Sequence, residues 1–292
     1  MKLLIVTADD FGLHAAVNSA VEQAAREGVL TTASLMVGAP AAAQAVAIAR
    51  GLPHLAVGLH LVLADGWSVL PQQRIPALVD AQGRFGNNMV RDGVRFFALP
   101  AVRRQLEAEI RAQFQAFADT GLPLDHVNAH KHFHLHPTLL EMLLRIGAEF
   151  GVPAVRLPRE PAWVARRAGG LLAGPAVAGL LSPWVAIMRR RLRLARIAHN
   201  DYVFGISDSG ALDEARLLEI LGRLPDGLTE IYLHPAVASG AAIAASMGGY
   251  RHADELAALL SPRVRAAIAA CGARTGGFRQ LSSAGTAERR AA

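Results

Sequence analysis

Residues 2–12 read KLLIVTADDFG, an apolar run that ends in two adjacent aspartates. The β-branched and leucine side chains of residues 2–7 predict a short buried strand, and the Asp-Asp-Phe-Gly sequence predicts that it breaks there. Short apolar runs of this kind recur along the chain and alternate with segments of helical periodicity. Strands that alternate with helices indicate an α/β fold built on a parallel sheet.

The number of these units favours a barrel. Strands are predicted at residues 2–7, 30–37, 56–61, 124–130, 154–157, 201–206 and 229–234, with a last one at 278–281. Helices are predicted at residues 14–26, 40–49, 101–120, 137–150, 212–224 and 252–270. Seven or eight such units predict a distorted (β/α) TIM-like barrel with an apolar helical insertion, and an open doubly wound sheet is the alternative.

Length and composition agree with one large domain. The 292 residues are 52% hydrophobic and 18% charged, which permits a large core and is not typical of a disordered chain. We expect a single domain over residues 1–283, with insertions near 62–99 and 159–199 and a disordered tail at 284–292. The single cysteine, Cys271, excludes an internal disulfide framework and is typical of a reducing cytosol.

Residues that suit a metal ion follow four of the predicted strands. Asp9 and Asp10 end the first strand, His60 ends the third, and His234 ends the seventh. The fourth runs into residues 126–136, which hold five of the 11 histidines. Taken singly, these residues have ordinary explanations as a turn, a packed histidine or a solvated loop. Because parallel barrel strands open at their C-terminal ends onto one face, their occurrence at four strand ends favours a common site.

The residue types predict the chemistry. One carboxylate and two imidazoles bind a divalent ion and leave coordination positions open. Such an ion acidifies water and polarises a carbonyl, a second carboxylate can take the proton, and a histidine can protonate a leaving amine. This suits hydrolysis of an amide or ester, and no nucleotide phosphate-binding motif is present. One ion does not reach every histidine of the cluster, so we expect His132 and His134 to contact substrate or support the ligands.

Four motifs resemble those of one known family. In chain order they are TADDFG at 7–12, VGLH at 57–60, NAHKHFH at 128–134 and YLHP at 232–235. Together they resemble the motifs of the YdjC-like carbohydrate deacetylases, and the resemblance spans residues 1–281. It implies a distorted (β/α) barrel that removes acetate from N-acetylglucosamine units.

The resemblance also implies roles for individual residues. By this resemblance, Asp10, His60 and His130 hold one divalent metal ion, for which we expect zinc rather than magnesium. Asp9 is then the general base and His234 the general acid.

Two segments resemble those of the hopanoid biosynthesis-associated (HpnK) branch of the family: NAHKHFHLHP at 128–137 and VRLPREP at 155–161. This branch implies a glycosylated hopanoid substrate, N-acetylglucosaminyl bacteriohopanetetrol. Arg156 and Arg159 are then either substrate contacts or structural residues. The chain departs from the chito-oligosaccharide members at Asn128, where they often carry Asp, so the hydrogen bonds around His130 are expected to differ. A chito-oligosaccharide deacetylase and a non-catalytic metal or lipid carrier are the alternatives.

Residues 169–188 are almost wholly apolar and are followed by arginines. Their length is close to a bilayer span, but two prolines interrupt them and a span would split the barrel, so we reject a transmembrane helix. They predict either a buried helical hairpin or a lid that docks on a membrane. In the lid, Trp184 lies at the interface and three arginines face anionic lipid: Arg189, Arg190 and Arg191.

We therefore expect a cytoplasmic protein, peripheral on the inner membrane face, that binds a glycosylated hopanoid and an anionic membrane surface. The net charge of +6 could also suit nucleic acid, but the arginines lack the interleaved aromatic residues typical of such sites, so nucleic acid is excluded as a partner. A homodimer is left open.

Overall fold

The computed structural model describes residues 1–161, 163–164, 175–239 and 242–282. The described residues contain seven strands: β1 Lys2–Phe11, β2 Thr32–Leu35, β3 Ala56–Leu61, β4 Leu124–Ala129, β5 Tyr202–Phe204, β6 Gly227–Leu233 and β7 Arg274–Thr275. Every pairing between them is parallel. Their order is β4-β3-β2-β1-β6-β5, with β7 also pairing with β1.

This sheet is a parallel α/β half-barrel, consistent with the predicted distorted TIM-like fold. The strand predicted at 154–157 is reduced to isolated bridges, which join Val155 to Val127 and Ala154 to Ala198. These bridges extend the sheet beyond β4 towards the segment that leads into β5. The distortion therefore lies between β4 and β5, where regular pairing is replaced by single bridges.

Helices flank the strands in the expected alternation. They are α1 Ala15–Glu27, α2 Ala42–Arg50, α3 Met89–Ala98, α4 Pro100–Asp119, α5 Pro137–Glu149, α6 Pro175–Leu194, α7 Glu214–Gly222, α8 His252–Leu260 and α9 Pro262–Ala270. Two predictions were wrong in detail. Residues 252–270 form two helices, because Ser261 caps α9 and Pro262 lacks the N–H that a continuous helix requires. Residues 278–281 are helical, and their apolar side chains pack into the core without extended pairing.

Successive side chains of a strand point to opposite faces of the sheet, so each strand contributes to two separate apolar clusters. In β1, Leu4 and Val6 pack in the large cluster beneath the helices. Leu3 and Ile5 face the barrel interior, where they pack in a second cluster that includes Phe278. Further along, interior positions turn polar, since the hydroxyl of Thr7 donates to Glu230 at 2.7 Å. The interior is therefore apolar at its N-terminal end and polar at its C-terminal end.

The apolar segment at 169–188 is described from residue 175 onward, where it forms α6. One face of α6 packs inward through Val185, Met188 and Leu192, whereas Leu180 and Leu194 are exposed. The part of the prediction that concerns residues 169–174 lies outside the described residues, as does the predicted tail. No helix among the described residues is long and apolar enough to cross a membrane.

We predict that Gly58→Ala destabilises the barrel by about 1–3 kcal/mol, because a Cβ at this position in β3 would overlap the buried imidazole of His126. The free energy of unfolding, measured with denaturant, checks this. Gly222→Ala, at the end of α7, is the matched control, since a Cβ there meets nothing within 4 Å. The control should keep or slightly raise stability, and an equal effect of the two changes would contradict the packing argument.

Candidate metal centre and active site

The three predicted metal ligands meet at the C-terminal end of the sheet. Asp10 lies near the end of β1, His60 near the end of β3, and His130 directly after β4. Oδ1 of Asp10 lies 3.3 Å from Nε2 of His60 and 3.0 Å from Nδ1 of His130. One ligand atom from each residue lies within 4.8 Å of the other two, and all three are buried.

The backbone at Asp10 explains how two consecutive aspartates face one site. In a regular strand, neighbouring side chains point to opposite faces of the sheet. Asp10 instead has φ 63°, a left-handed conformation that is rare for residues other than glycine, and the pairing of β1 with β2 shifts register between Ala8 and Phe11. This irregularity turns Asp10 towards the histidines while Asp9 keeps its place in the barrel interior.

The residues fit a divalent cation. Both carboxylate oxygens of Asp10 are buried, and no described residue offers either of them a hydrogen bond of suitable geometry. Burial raises the pKa of Asp10, but the imidazoles of His130 and His60 more than offset this and hold it well below its ordinary value. An ionised, unbonded carboxylate between two imidazoles is a donor set that zinc and similar ions accept.

Asp9 is held in a different way, by a buried ion network. Arg156 donates to both of its oxygens, at 2.6 and 2.9 Å, and to both oxygens of Glu230, at 2.8 and 2.7 Å. Burial raises the pKa of Asp9, but the guanidinium of Arg156 outweighs this and holds the pKa well below its ordinary value. Arg156 thus lies between Asp9 and Glu230, whereas no arginine or lysine among the described residues pairs with Asp10, and a divalent cation would balance that carboxylate.

Arg156 lies behind Asp9 and not in the open part of the site. It is 0% exposed, and its guanidinium carbon lies 4.4 Å from the ring centroid of Tyr232. Because its donors are engaged by two carboxylates, we interpret it as a positioning residue. Arg159 is exposed, donates to the carbonyl of Asp201 at 3.2 Å and stacks on Tyr202, so it lies away from the metal ligands.

The histidine-rich loop adopts a strained backbone. Lys131 and His132 both have φ 54°, which is uncommon for non-glycine residues and is typical of functional loops. Nε2 of His132 lies 2.8 Å from the hydroxyl of Tyr232, and its ring lines the cavity described below. Nε2 of His134 lies 3.0 Å from the carbonyl oxygen of Arg156. Burial lowers the pKa of His134 to about 3, so this ring is neutral and donates to that carbonyl.

His234 lies on the other side of the ligand set. Its Nε2 is 4.0 Å from Oδ2 of Asp10, and burial lowers its pKa despite the two aspartates nearby. Two residues of α8 hold its backbone: the N–H of His234 donates to Glu255 at 2.5 Å, and its carbonyl accepts from Nδ1 of His252 at 2.6 Å. Sequence reasoning missed both contacts, since nothing local marks them.

A cavity of about 660 Å³ opens above these groups. Its floor is formed by Asp9 and by the four histidines His60, His130, His132 and His234. Its walls come from loops after the strands and from the start of α3, and sequence analysis did not identify them: Asn87, Asn88, Met89, Val90, Ile206, Ser209, Ser246, Met247 and Tyr250. Their position after strand ends is the signal that could have indicated them.

The residues predicted to contact a membrane lie on α6, away from the cavity lining. Trp184 is partly buried against the core, and its indole N–H donates to the carbonyl of Leu135 at 2.7 Å. Arg189 lies 3.2 Å from Asp201, whereas Arg190 and Arg191 are exposed. The indole thus anchors α6 to the loop after β4.

The fold and the site together define a class, that of α/β half-barrel proteins with a carboxylate–imidazole centre at the C-terminal edge of the sheet. The family model described as YdjC-like protein matches residues 3–270. The chain belongs to this YdjC-like family.

Individual relatives agree with this assignment. A carbohydrate deacetylase of Geobacillus stearothermophilus is 30% identical over 282 residues, which cover 96% of this chain and 98% of that protein. A chitooligosaccharide deacetylase of Serratia marcescens is 30% identical over 284 residues, covering 96% and 99%. A solved structure from Enterococcus faecalis, described as that of a putative cellobiose-phosphate cleavage protein, has a TM-score of 0.73 at 23% identity, covering 96% of this chain and 98% of that one. It shows that the fold is shared.

We predict that Arg156→Met costs about 3–5 kcal/mol of stability, because it leaves the carboxylates of Asp9 and Glu230 buried without their cation. Arg159→Met is the control, and its exposed contacts should contribute less than about 1 kcal/mol. Denaturant unfolding of both variants checks this. Equal stabilities would show that Arg156 does not balance the buried carboxylates.

We also predict a pH dependence that originates at Glu255. Burial raises its pKa to about 8 from 4.5, although the N–H groups of Leu212 and His234 oppose the shift. The folded state therefore keeps a proton that the unfolded chain releases, so this residue's contribution to stability is full below pH 4.5 and is lost as the pH rises towards 8. Glu255→Gln should flatten the fall in unfolding free energy over this range, whereas Glu22→Gln on the exposed part of α1 should keep the wild-type slope.

Proposed function

We propose that this protein is a metal-dependent N-deacetylase that removes acetyl groups from N-acetylglucosamine units of chito-oligosaccharides. The observation that carries the proposal is the arrangement at the cavity floor. There, the Asp10–His60–His130 ligand set lies between a second buried carboxylate, Asp9, and a histidine, His234. The names of the two full-length relatives support the substrate class.

Asp10, His60 and His130 would hold the ion, and we infer zinc, since one carboxylate and two imidazoles match its preferred donors. When bound, such an ion polarises the acetamide carbonyl and lowers the pKa of water. The cavity leaves room beside the ligands for the acetamide, because it reaches Asp9, His60, His130 and His234 together.

Asp9 would take the proton of the attacking water. Arg156 and the side-chain amide of Asn128, at 3.2 Å, hold its carboxylate in one orientation and keep it ionised. Addition of the water oxygen to the carbonyl carbon and cleavage of the C–N bond leave an amine that needs a proton. His234, whose Nε2 lies 4.0 Å from Asp10 on the other side of the ligand set, would supply that proton from its protonated form.

A second candidate substrate is N-acetylglucosamine linked to a lipid, the hopanoid predicted from the sequence. The observation in its favour is an exposed apolar strip on α3, where Val90, Val94 and Phe97 are 70%, 63% and 64% exposed. Val90 also lines the cavity, so the strip is continuous with the site. An apolar aglycone or a membrane surface would cover it, and the exposed Arg91 beside it would meet anionic headgroups.

One experiment tests both substrates. Purified protein with added Zn²⁺ is given N,N′-diacetylchitobiose or the N-acetylglucosaminyl hopanoid in detergent, and acetate release is measured. We expect release from chitobiose, and Asp9→Asn should lower kcat by about 10²–10⁴-fold while Zn²⁺ stays bound. Asp226→Asn, whose side chain is exposed beside the N-terminus, is the control and should retain the wild-type rate.

Release from the hopanoid alone would replace the first substrate by the second. In that case, Val94→Ser should slow the hopanoid reaction. A protein that binds Zn²⁺ but releases acetate from neither substrate would be a carrier and not an enzyme.

A further inference from the structure

We propose that a buried polar chain of four side chains, Asp125, His126, Ser34 and Asn128, positions the metal ligand His60 and determines which of its ring nitrogens carries the proton. The proposal rests on the proposed metal site but not on the substrate. Ser34 lies on β2 and the other three residues lie on β4, and none of the four side chains is more than 5% exposed.

The orientation of the Asn128 amide follows from its neighbours. Both oxygens of Asp9 accept hydrogen bonds from Arg156, so the group of Asn128 that faces Oδ1 of Asp9 at 3.2 Å must be the donor, Nδ2. Oδ1 of Asn128 therefore faces Nδ1 of His60, at 2.6 Å, and accepts its proton. This leaves the lone pair of His60 Nε2 directed towards Asp10, which is the form a metal ligand requires.

Ser34 and His126 complete the chain. The second hydrogen of Asn128 Nδ2 goes to Oγ of Ser34, at 2.9 Å. Ser34 then donates its own proton to Nε2 of His126, at 3.0 Å, and Nδ1 of His126 donates to Asp125 at 3.1 Å. Each donor thus has one acceptor. Reversing the Asn128 amide would place its carbonyl oxygen against Oδ1 of Asp9, so that two acceptors would face each other.

The Asp125 end of the polar chain is held by backbone N–H groups. Asp125 accepts from the N–H groups of Phe278 and Arg279, each at 3.0 Å. The ring of His126 packs against Phe278, with centroids 4.8 Å apart, and against Gly58. The N-terminal end of the barrel therefore holds the chain in place.

Ser34, His126 and Asp125 have the connectivity of a nucleophilic triad, but their placement argues against that role. Ser34 and His126 are 0% exposed, and neither lines the cavity. A substrate carbonyl has no path to Oγ of Ser34, whereas Asn128 beside it contacts both His60 and Asp9. The polar chain therefore positions the metal ligand His60 and does not attack the substrate.

The first test measures the metal, using the metal-free protein titrated with Zn²⁺ alone. Ser34→Ala and His126→Phe should each weaken Zn²⁺ affinity by about 10- to 100-fold, and Ser34→Thr, which keeps the hydroxyl, should restore it. Thr32→Val is the matched control. The hydroxyl of Thr32 is buried on the same strand and face as that of Ser34, but it lies 3.2 Å from the hydroxyl of Thr31 and is not part of the polar chain. The Zn²⁺ affinity of this variant should therefore be unchanged. Equal affinities for Ser34→Ala and Thr32→Val would overturn the proposal.

The second test needs no variant. Long-range ¹H–¹⁵N NMR of the wild-type protein reports which nitrogen of each histidine carries the proton. We expect protonated Nδ1 at both His60 and His126, with Nε2 of each unprotonated once Zn²⁺ is bound. A proton on Nε2 of His126, or loss of the Nδ1 proton from His60, would overturn the proposal even if the variants failed to fold. Neither test depends on acetate release, so failure of the proposed activity would be seen separately.

Discussion

The burial of two adjacent ionised carboxylates, Asp9 and Asp10, is the constraint on which this end of the barrel depends. An unpaired buried charge costs several kcal/mol, so each carboxylate must be balanced where it lies. Asp9 is balanced by Arg156, which also binds Glu230. Asp10 receives no such cation from the described residues and faces two imidazoles instead. The barrel end is therefore organised to keep one carboxylate satisfied by protein and the other available to a metal ion.

The pleat of the sheet lets the barrel bury these carboxylates and still keep an apolar core, because alternate side chains of each strand point to opposite faces. Outward positions of the strands, such as Leu59 and Ile231, pack beneath the helices. Inward positions carry apolar side chains at one end, where Ile5 meets Phe278, and polar ones at the other. The apolar cluster around Ile5 and Phe278 excludes water from one end of the polar interior, and hydrogen bonds are stronger where water is excluded. The polar side chains at the C-terminal end of the barrel interior are therefore buried together, and the apolar core beside them stays intact.

The loops after the strands decide what enters that compartment. Polar side chains on the cavity wall, including Asn88 and Ser209, suit sugar hydroxyls, while Met89 and Val90 lead onto the apolar strip of α3. Under the proposed function, the polar wall would contact the sugar, and the apolar strip at the rim is the feature that the lipid-linked alternative would use. α3 lies in the long segment between β3 and β4, so the apolar strip and the metal ligands belong to different parts of the chain.

The sequence by itself determined the parallel α/β class and the residues at the strand ends, because apolar periodicity and the Asp-Asp and His-rich motifs are local signals. It also predicted that the two aspartates, His60, His234 and the histidines of residues 126–136 would converge, since parallel strands share one C-terminal edge. The resemblance to the family then singled out Asp10, His60 and His130 as the ligands. Only the tertiary structure showed the left-handed turn at Asp10, the burial of Arg156 between two carboxylates and the link from Ser34 to His126. It also replaced the predicted strand at 278–281 by a helical turn. These features join residues far apart in the chain, up to 147 positions for Asp9 and Arg156, and no local pattern encodes such a distant partner.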